Sequence, residues 1–189
     1  MTPQKLLERN EAWRKSSVAK DPACFEKLSK GQEPDILMIA CSDSRVSPSV
    51  LFGAELGELF IHRNIANQIK TDDANILSIL EFSIEVLKVK YIIVLGHYGC
   101  GGVKAAMAPC EDSHVCRWVK PIHDLADKES DSPSWNRLVE LNAHEQMENI
   151  RRTSVYQKAS ERGHAPVLCA WVDDISTGRI IPLTEHIYL

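Results

Sequence analysis

The 189-residue chain lacks the features that define several broad classes of protein. It has no apolar run near the roughly 18 residues that a membrane-spanning helix needs, so no membrane association is expected. The formal net charge is -4 and no basic tract occurs, which argues against a nucleic-acid partner. Internal repeats, low-complexity tracts and Gly/Ser linkers are also absent. A single domain over residues 1–189 is therefore expected.

The N-terminal segment bears on where the protein resides. MTPQKLLERNEAWRKSS lacks the apolar centre of a secretory signal. It is basic and amphipathic enough to suggest a mitochondrial presequence, but Glu8 and Glu11 argue against one. We therefore expect a cytoplasmic protein, and a mitochondrial one is less favoured. In a reducing cytosol, the six cysteines are more often metal ligands or buried thiols than disulfides.

Alternating strand and helix patterns predict an α/β protein with a central, mainly parallel β-sheet flanked by helices. Residues 1–30 are predicted to form an N-terminal helical arm, whose second helix starts at Asp21-Pro22 and stops at Gly31. Strands are predicted in DILMIA, ELFIHRN, YIIVLG and VLCAWVDD, with IIPL in a short hairpin-like end. Helices are predicted in TDDANILSILEFSIEVLKV, in VKAAMA and through most of residues 124–160.

Three side chains that can bind a metal follow predicted strands. Cys41 ends the first apolar run, while His97 and Cys100 follow YIIVLG within GHYGCGG. Because sites form outside the carboxyl ends of parallel strands, these side chains should meet at one edge of the sheet. A Cys₂His set is typical of catalytic zinc, which keeps a fourth position open. A closed structural zinc site, or two buried thiols without metal, is also compatible with this spacing.

The stretch CSDSR places a carboxylate and a guanidinium directly after Cys41. Asp43 and Arg45 lie two residues apart, so they can point the same way and pair. An arginine on this carboxylate would lower its pKa, orient it and compete with a metal for it. A surface ion pair capping the helix that Ser47-Pro48 starts is the simpler interpretation. It leaves unexplained why the pair adjoins a candidate ligand.

A second cluster of candidate ligands occurs in CEDSHVC, which contains Cys110, His114 and Cys116. Its acidic setting and tight His-x-Cys spacing favour an ordinary surface loop over a second metal site. The remaining histidines show no spacing that assigns a role to one of them.

CSDSR, LFIHRNIANQ and HYGCGG together resemble the β-class carbonic anhydrases, strongly over residues 31–103 and more loosely in VLCAWVDDISTG. The resemblance implies that Cys41, His97 and Cys100 bind one zinc ion per subunit, beside a catalytic dyad of Asp43 and Arg45. The implied reaction is the reversible hydration of carbon dioxide to bicarbonate and a proton. In this reaction the dyad positions zinc-bound hydroxide.

The resemblance also implies a substrate pocket that subunits share. The residues it assigns to this pocket are Gln32 as a hydrogen-bond donor, Phe60, Ile65 and Phe82 as apolar wall, and Gly102. Phe82 stands where relatives often have tyrosine, so a hydroxyl is missing. In the family a neighbouring subunit completes the pocket, which implies a homodimer or a dimer of dimers.

Some members of the family let the aspartate bind zinc and carry a bicarbonate-responsive pocket of Trp, Arg and Tyr. The matching positions here are Met38, Arg63 and Asp173, so only the arginine is retained. We therefore expect the open form, with Asp43 paired to Arg45 and no bicarbonate inhibition of that kind. Two alternatives remain at this point: a carbonyl sulfide or carbon disulfide hydrolase of the same fold, and a zinc-binding sensor without turnover.

Overall fold

The computed structural model describes residues 1–108 and 113–184, and the chain separates into an N-terminal unit, residues 1–33, and a larger unit that begins at Pro34. The N-terminal unit contains two helices, α1 (Pro3–Lys20) and α2 (Cys24–Leu28). The Thr2 side chain caps α1 by accepting a hydrogen bond from the Lys5 amide. The second helix is shorter than predicted, because the Asp21 carboxylate accepts the Ala23 amide and holds the preceding residues in a turn.

The larger unit is built on a five-stranded sheet of order β2-β1-β3-β4-β5. The first four strands in that order are parallel, and β5 runs antiparallel to β4. The strands are β1 (Ile36–Cys41), β2 (Leu59–Asn64), β3 (Tyr91–His97), β4 (Val167–Asp174) and β5 (Arg179–Pro182). This arrangement confirms the predicted α/β fold with a mainly parallel sheet.

Apolar side chains are buried on both faces of the sheet, as expected for an unbroken apolar strand. Leu37 and Ile39 of β1 pack into the core beside α4 and α7, while Met38 and Ala40 pack on the opposite face. The helices of this unit are α3 (Pro48–Leu51), α4 (Ala74–Glu81), α5 (Gly101–Ala106), α6 (His114–Ala126), α7 (Trp135–Arg152) and α8 (Ser154–Glu161). In the part of the chain that is described, no helix combines the length and apolarity needed to cross a bilayer.

Two helical segments differ from the sequence prediction. The helix expected through residues 71–89 changes after α4 into a π-helical turn over Phe82–Val86, where the Leu87 amide bonds the Phe82 carbonyl. Lys88 then ends the segment with a left-handed backbone (φ 59°). In the predicted loop CEDSHVC, Cys110 lies outside the described residues, whereas His114 and Cys116 belong to the first turn of α6.

Candidate active site

Three elements deliver the candidate metal ligands to one place. Cys41 ends β1, His97 ends β3, and Cys100 is the residue before α5. Their ligand atoms all lie within 4.8 Å of one another. The three side chains are buried, with no more than 5% of any residue exposed. Among the described residues, this is the one group of three or more such side chains close enough to share an ion.

The donor set matches the geometry that zinc prefers. The Cys41 and Cys100 sulfurs lie 3.9 Å apart. Tetrahedral zinc with Zn–S bonds of about 2.3 Å would separate two sulfur ligands by about 3.8 Å. Nδ1 of His97 lies 3.1 Å from the Tyr98 carbonyl, which can only accept, so Nδ1 carries the proton. Nε2 is therefore a lone-pair donor, and it is buried without a hydrogen-bond partner among the described residues. This site fits one zinc ion.

The two thiols share a hydrogen bond that shifts their pKa values in opposite directions. The hydrogen bond from Cys100 lowers the pKa of Cys41, and the Ala66 amide adds a smaller effect in the same direction, although burial opposes this shift. The same hydrogen bond and burial raise the pKa of Cys100. A thiol must lose its proton to bind a metal, so metal affinity should rise with pH.

Asp43 is held by Arg45 at the mouth of this site. Arg45 donates from Nε to Oδ1 at 2.9 Å and from Nη2 to Oδ2 at 2.7 Å, and its backbone amide adds a third bond at 3.0 Å. Bidentate pairing of this kind holds the pKa of the Asp43 carboxyl well below its usual range. Oδ2 of Asp43 also lies 3.9 Å from Nε2 of His97. An ionised carboxylate thus faces the metal ligands.

Arg63 has a role in the site that the sequence did not reveal. Its Nε donates to the Cys41 carbonyl at 2.8 Å, and its Nη2 donates to the Asp43 carbonyl at 2.7 Å. One guanidinium therefore fixes the backbone that carries both the metal ligand and the carboxylate. A basic residue near the end of β2, the strand paired with β1, was the available signal in the sequence.

A pocket of about 360 Å³ opens beside the metal ligands. The residues that line it are Cys41, Ser42, Asp43, Ile65, Gly101, Gly102 and Val115. Ile65 and Gly102, both predicted to contact substrate, therefore lie next to Asp43. A methyl group on Gly102 would stand 2.7 Å from Cγ2 of Ile65 and 3.0 Å from Cβ of Ala66, so only glycine fits there.

The other predicted pocket residues are not among those that line this pocket. Phe60 and Phe82 pack against each other, with ring centroids 5.8 Å apart, and Phe82 is 42% exposed. Gln32 belongs to the N-terminal unit. At the positions compared for bicarbonate binding, Met38 is buried in the core. Asp173 is buried next to His97 in the sheet register, and burial raises the pKa of its carboxyl.

Comparison with known proteins identifies the family. A profile described as carbonic anhydrase matches residues 36–180. The chain is 40% identical to a carbonic anhydrase of Emericella nidulans over 185 residues, covering 94% of this chain and 81% of that protein.

Solved structures agree with this assignment. The β-carbonic anhydrase of Coccomyxa, determined with acetazolamide, superposes with a TM-score of 0.89 at 34% identity, covering 95% of this chain and 85% of that one. A comparison with tetrameric β-carbonic anhydrases of Sordaria macrospora gives a TM-score of 0.86 at 32% identity, with 95% of both chains covered. The chain belongs to the β-class carbonic anhydrases, a family of zinc-dependent carbonate dehydratases.

Proposed function

We propose that this chain catalyses the reversible hydration of carbon dioxide with Cys41, His97 and Cys100 as zinc ligands and Asp43 and Arg45 as the catalytic dyad. The observation that carries the proposal is an ionised, arginine-bound carboxylate 3.9 Å from the free nitrogen of a buried Cys-His-Cys group. Bound zinc supplies a Lewis acid that lowers the pKa of water from 15.7 to about 7.

Asp43 orients the attacking water. Ionised Asp43 can only accept hydrogen bonds, so it accepts one from this water and aims the lone pair of the water oxygen at the carbon atom. Arg45 occupies both carboxylate oxygens, which keeps Asp43 charged and draws it away from the metal. Arg63 supports both residues by fixing the backbone on either side of Ser42. This arrangement favours the open form, in which Asp43 stays paired with Arg45 and would not be a metal ligand.

The pocket suits a small apolar substrate. Ile65 and Val115 give it apolar walls, and the missing side chain of Gly102 leaves room for Ile65 in the wall. We infer that Gln32, Phe60 and Phe82 act in the pocket of a neighbouring subunit, in a homodimer or a dimer of dimers. The large exposed fraction of Phe82 and the tetrameric Sordaria relatives support this assembly. Sedimentation velocity would measure the oligomeric state. A monomer that hydrates carbon dioxide at the full rate would contradict this assembly. A cytoplasmic location is also proposed.

A crystal structure of the zinc-loaded protein at neutral pH tests the open form. We expect Asp43 to remain on Arg45, because two short charge-assisted bonds and a backbone amide hold the carboxylate. We also expect added bicarbonate to leave this arrangement unchanged, since Met38 and Asp173 replace the Trp and Tyr of the responsive pocket. Direct coordination of zinc by Asp43 would overturn the open form.

Gly102→Ala tests the pocket wall. The added methyl group has to displace Ile65, so we expect kcat/KM for carbon dioxide to fall at least about tenfold, because small misplacements near reacting groups are costly. Zinc content should stay at the wild-type level. Gly101→Ala is the matched control, because it also adds a methyl group to the pocket lining but that methyl group meets no neighbouring side chain within 4 Å, so it leaves Ile65 in place. Equal hydration rates for the two variants would show that the position of Ile65 in the pocket wall does not affect hydration.

The substrate itself is tested by comparing carbon dioxide and carbonyl sulfide in one zinc-loaded preparation. Stopped-flow pH-indicator measurements should show rapid carbon dioxide hydration and far slower carbonyl sulfide hydrolysis. Faster turnover of carbonyl sulfide would support the hydrolase alternative instead. Stoichiometric zinc with turnover of neither substrate would support a sensing role.

A further inference from the structure

The peptide group between Ile65 and Ala66 is held at both of its ends. Nε1 of Trp118, on α6, donates to the Ile65 carbonyl at 2.8 Å. The Ala66 amide, on the other side of the same peptide, donates to Sγ of Cys41 at 3.4 Å. The orientation of this one peptide plane therefore decides whether Cys41 receives the hydrogen bond from the Ala66 amide.

The next peptide group is held from α7. Nδ2 of Asn142 donates to the Ala66 carbonyl at 3.1 Å, and Nε2 of Gln68 donates to the same oxygen at 2.9 Å. Oδ1 of Asn142 accepts from Gln68 at 2.7 Å and from Gln146 at 3.0 Å. Asn142 and Gln146 are each no more than 2% exposed, so these amides are satisfied by one another and by the backbone of this turn.

The segment needs such support because its backbone conformation is unfavourable. Ala66 (φ 59°) and Asn67 (φ 47°) are both left-handed, although neither is glycine. Local sequence preference would move these residues out of that region. The contacts of Trp118 and Asn142 fix the two successive peptides around Ala66, and thereby retain the turn that aims the Ala66 amide at Cys41.

We propose that Asn142 and Trp118 are positioning residues of the metal centre, which act on Cys41 through the Ala66 amide. A hydrogen bond to a thiolate withdraws electron density from sulfur, so the thiolate donates less to its metal and the metal remains a stronger Lewis acid. The same turn places Ile65 in the pocket wall beside Gly102. The inference rests on the proposed function only in taking Cys41 as a metal ligand.

Cobalt-substituted protein gives a direct measure of sulfur donation, because thiolate-to-cobalt charge transfer absorbs in the near ultraviolet. We expect this band to move to longer wavelength in Asn142→Leu and in Trp118→Phe, since loss of the hydrogen bond raises the energy of the sulfur electrons. Trp118→Phe keeps an aromatic ring at this position and removes the indole N–H that donates to Ile65, so it provides the test if Asn142→Leu does not fold. We also expect kcat/KM for carbon dioxide in the zinc forms to fall about tenfold.

Asn149→Leu is the matched control on the same helix. Asn149 donates to the Ile69 carbonyl and to Gln146 and makes no hydrogen bond to the peptides around Ala66, so its band should stay at the wild-type position. An unshifted band in folded Trp118→Phe would overturn the inference, as would an equal shift in Asn149→Leu. A shifted band in a protein that does not hydrate carbon dioxide would uphold the inference and refute the proposed function.

Discussion

Replacement of Asp43 by asparagine is expected to lower kcat for carbon dioxide hydration by roughly 10²-fold or more, the size of effect typical of a lost hydrogen-bonding group at the reacting atoms. Asparagine has nearly the same shape, but its amide group donates where the carboxylate accepts, so the attacking water loses its orientation. Zinc content should remain at one ion per subunit, because Asp43 is not a ligand in the open form. Stopped-flow hydration rates and metal analysis of the same samples check both statements.

Asp35→Asn is the matched control for this variant. Asp35 precedes β1 as Asp43 follows it, and it also pairs with a cation, Lys90, at 2.9 Å. This pair lies at the opposite end of the strand from the metal ligands, so its loss should leave hydration unchanged. A rate for Asp43→Asn that matches the control would remove Asp43 from the mechanism. Loss of zinc from Asp43→Asn would instead place the carboxylate on the metal.

Replacement of His97 by glutamine is expected to abolish zinc binding and hydration together. Zinc would lose one of its three protein ligands, and the affinity should fall by more than about 100-fold, since loss of an outer-shell partner alone costs 10- to 100-fold. Titration with a competing chelator measures the affinity, and the indicator assay measures the activity.

His62→Gln provides the comparison for this second variant. His62 lies on the neighbouring strand β2 and is partly buried, but its ring contacts the Asn64 side chain rather than the metal ligands. This variant should keep wild-type zinc content and rate. Full zinc occupancy in His97→Gln would show that the ion is held elsewhere.

The sequence was sufficient for the sheet and for the meeting of the metal ligands. The run ILMIAC is apolar on both faces, which only a central strand covered on both sides explains, and Cys41 ends that run. His97 and Cys100 follow another such strand. Because the carboxyl ends of parallel strands lie at the same edge of a sheet, the sequence alone predicted that the three side chains would lie close together.

The residues that hold the site in place through hydrogen bonds could not be predicted in this way. Ala66 and Asn67 adopt a left-handed backbone that their own preferences oppose, so only tertiary contacts determine it. Asn142 and Gln146 are polar residues on an amphipathic helix, and sequence patterns assign such residues to the surface although both are buried. The hydrogen bonds of Arg63 likewise depend on the register of β2 against β1, which local sequence does not encode.

The most direct test of the central claim is a zinc titration of the metal-free protein, followed by the rate of carbon dioxide hydration at each addition. The account predicts that the rate rises in proportion to bound zinc and stops rising at one ion per subunit. It also predicts that Asp43→Asn binds the same amount of zinc with little gain in rate. A wild-type protein that holds one zinc ion per subunit and hydrates carbon dioxide no faster than buffer would contradict it.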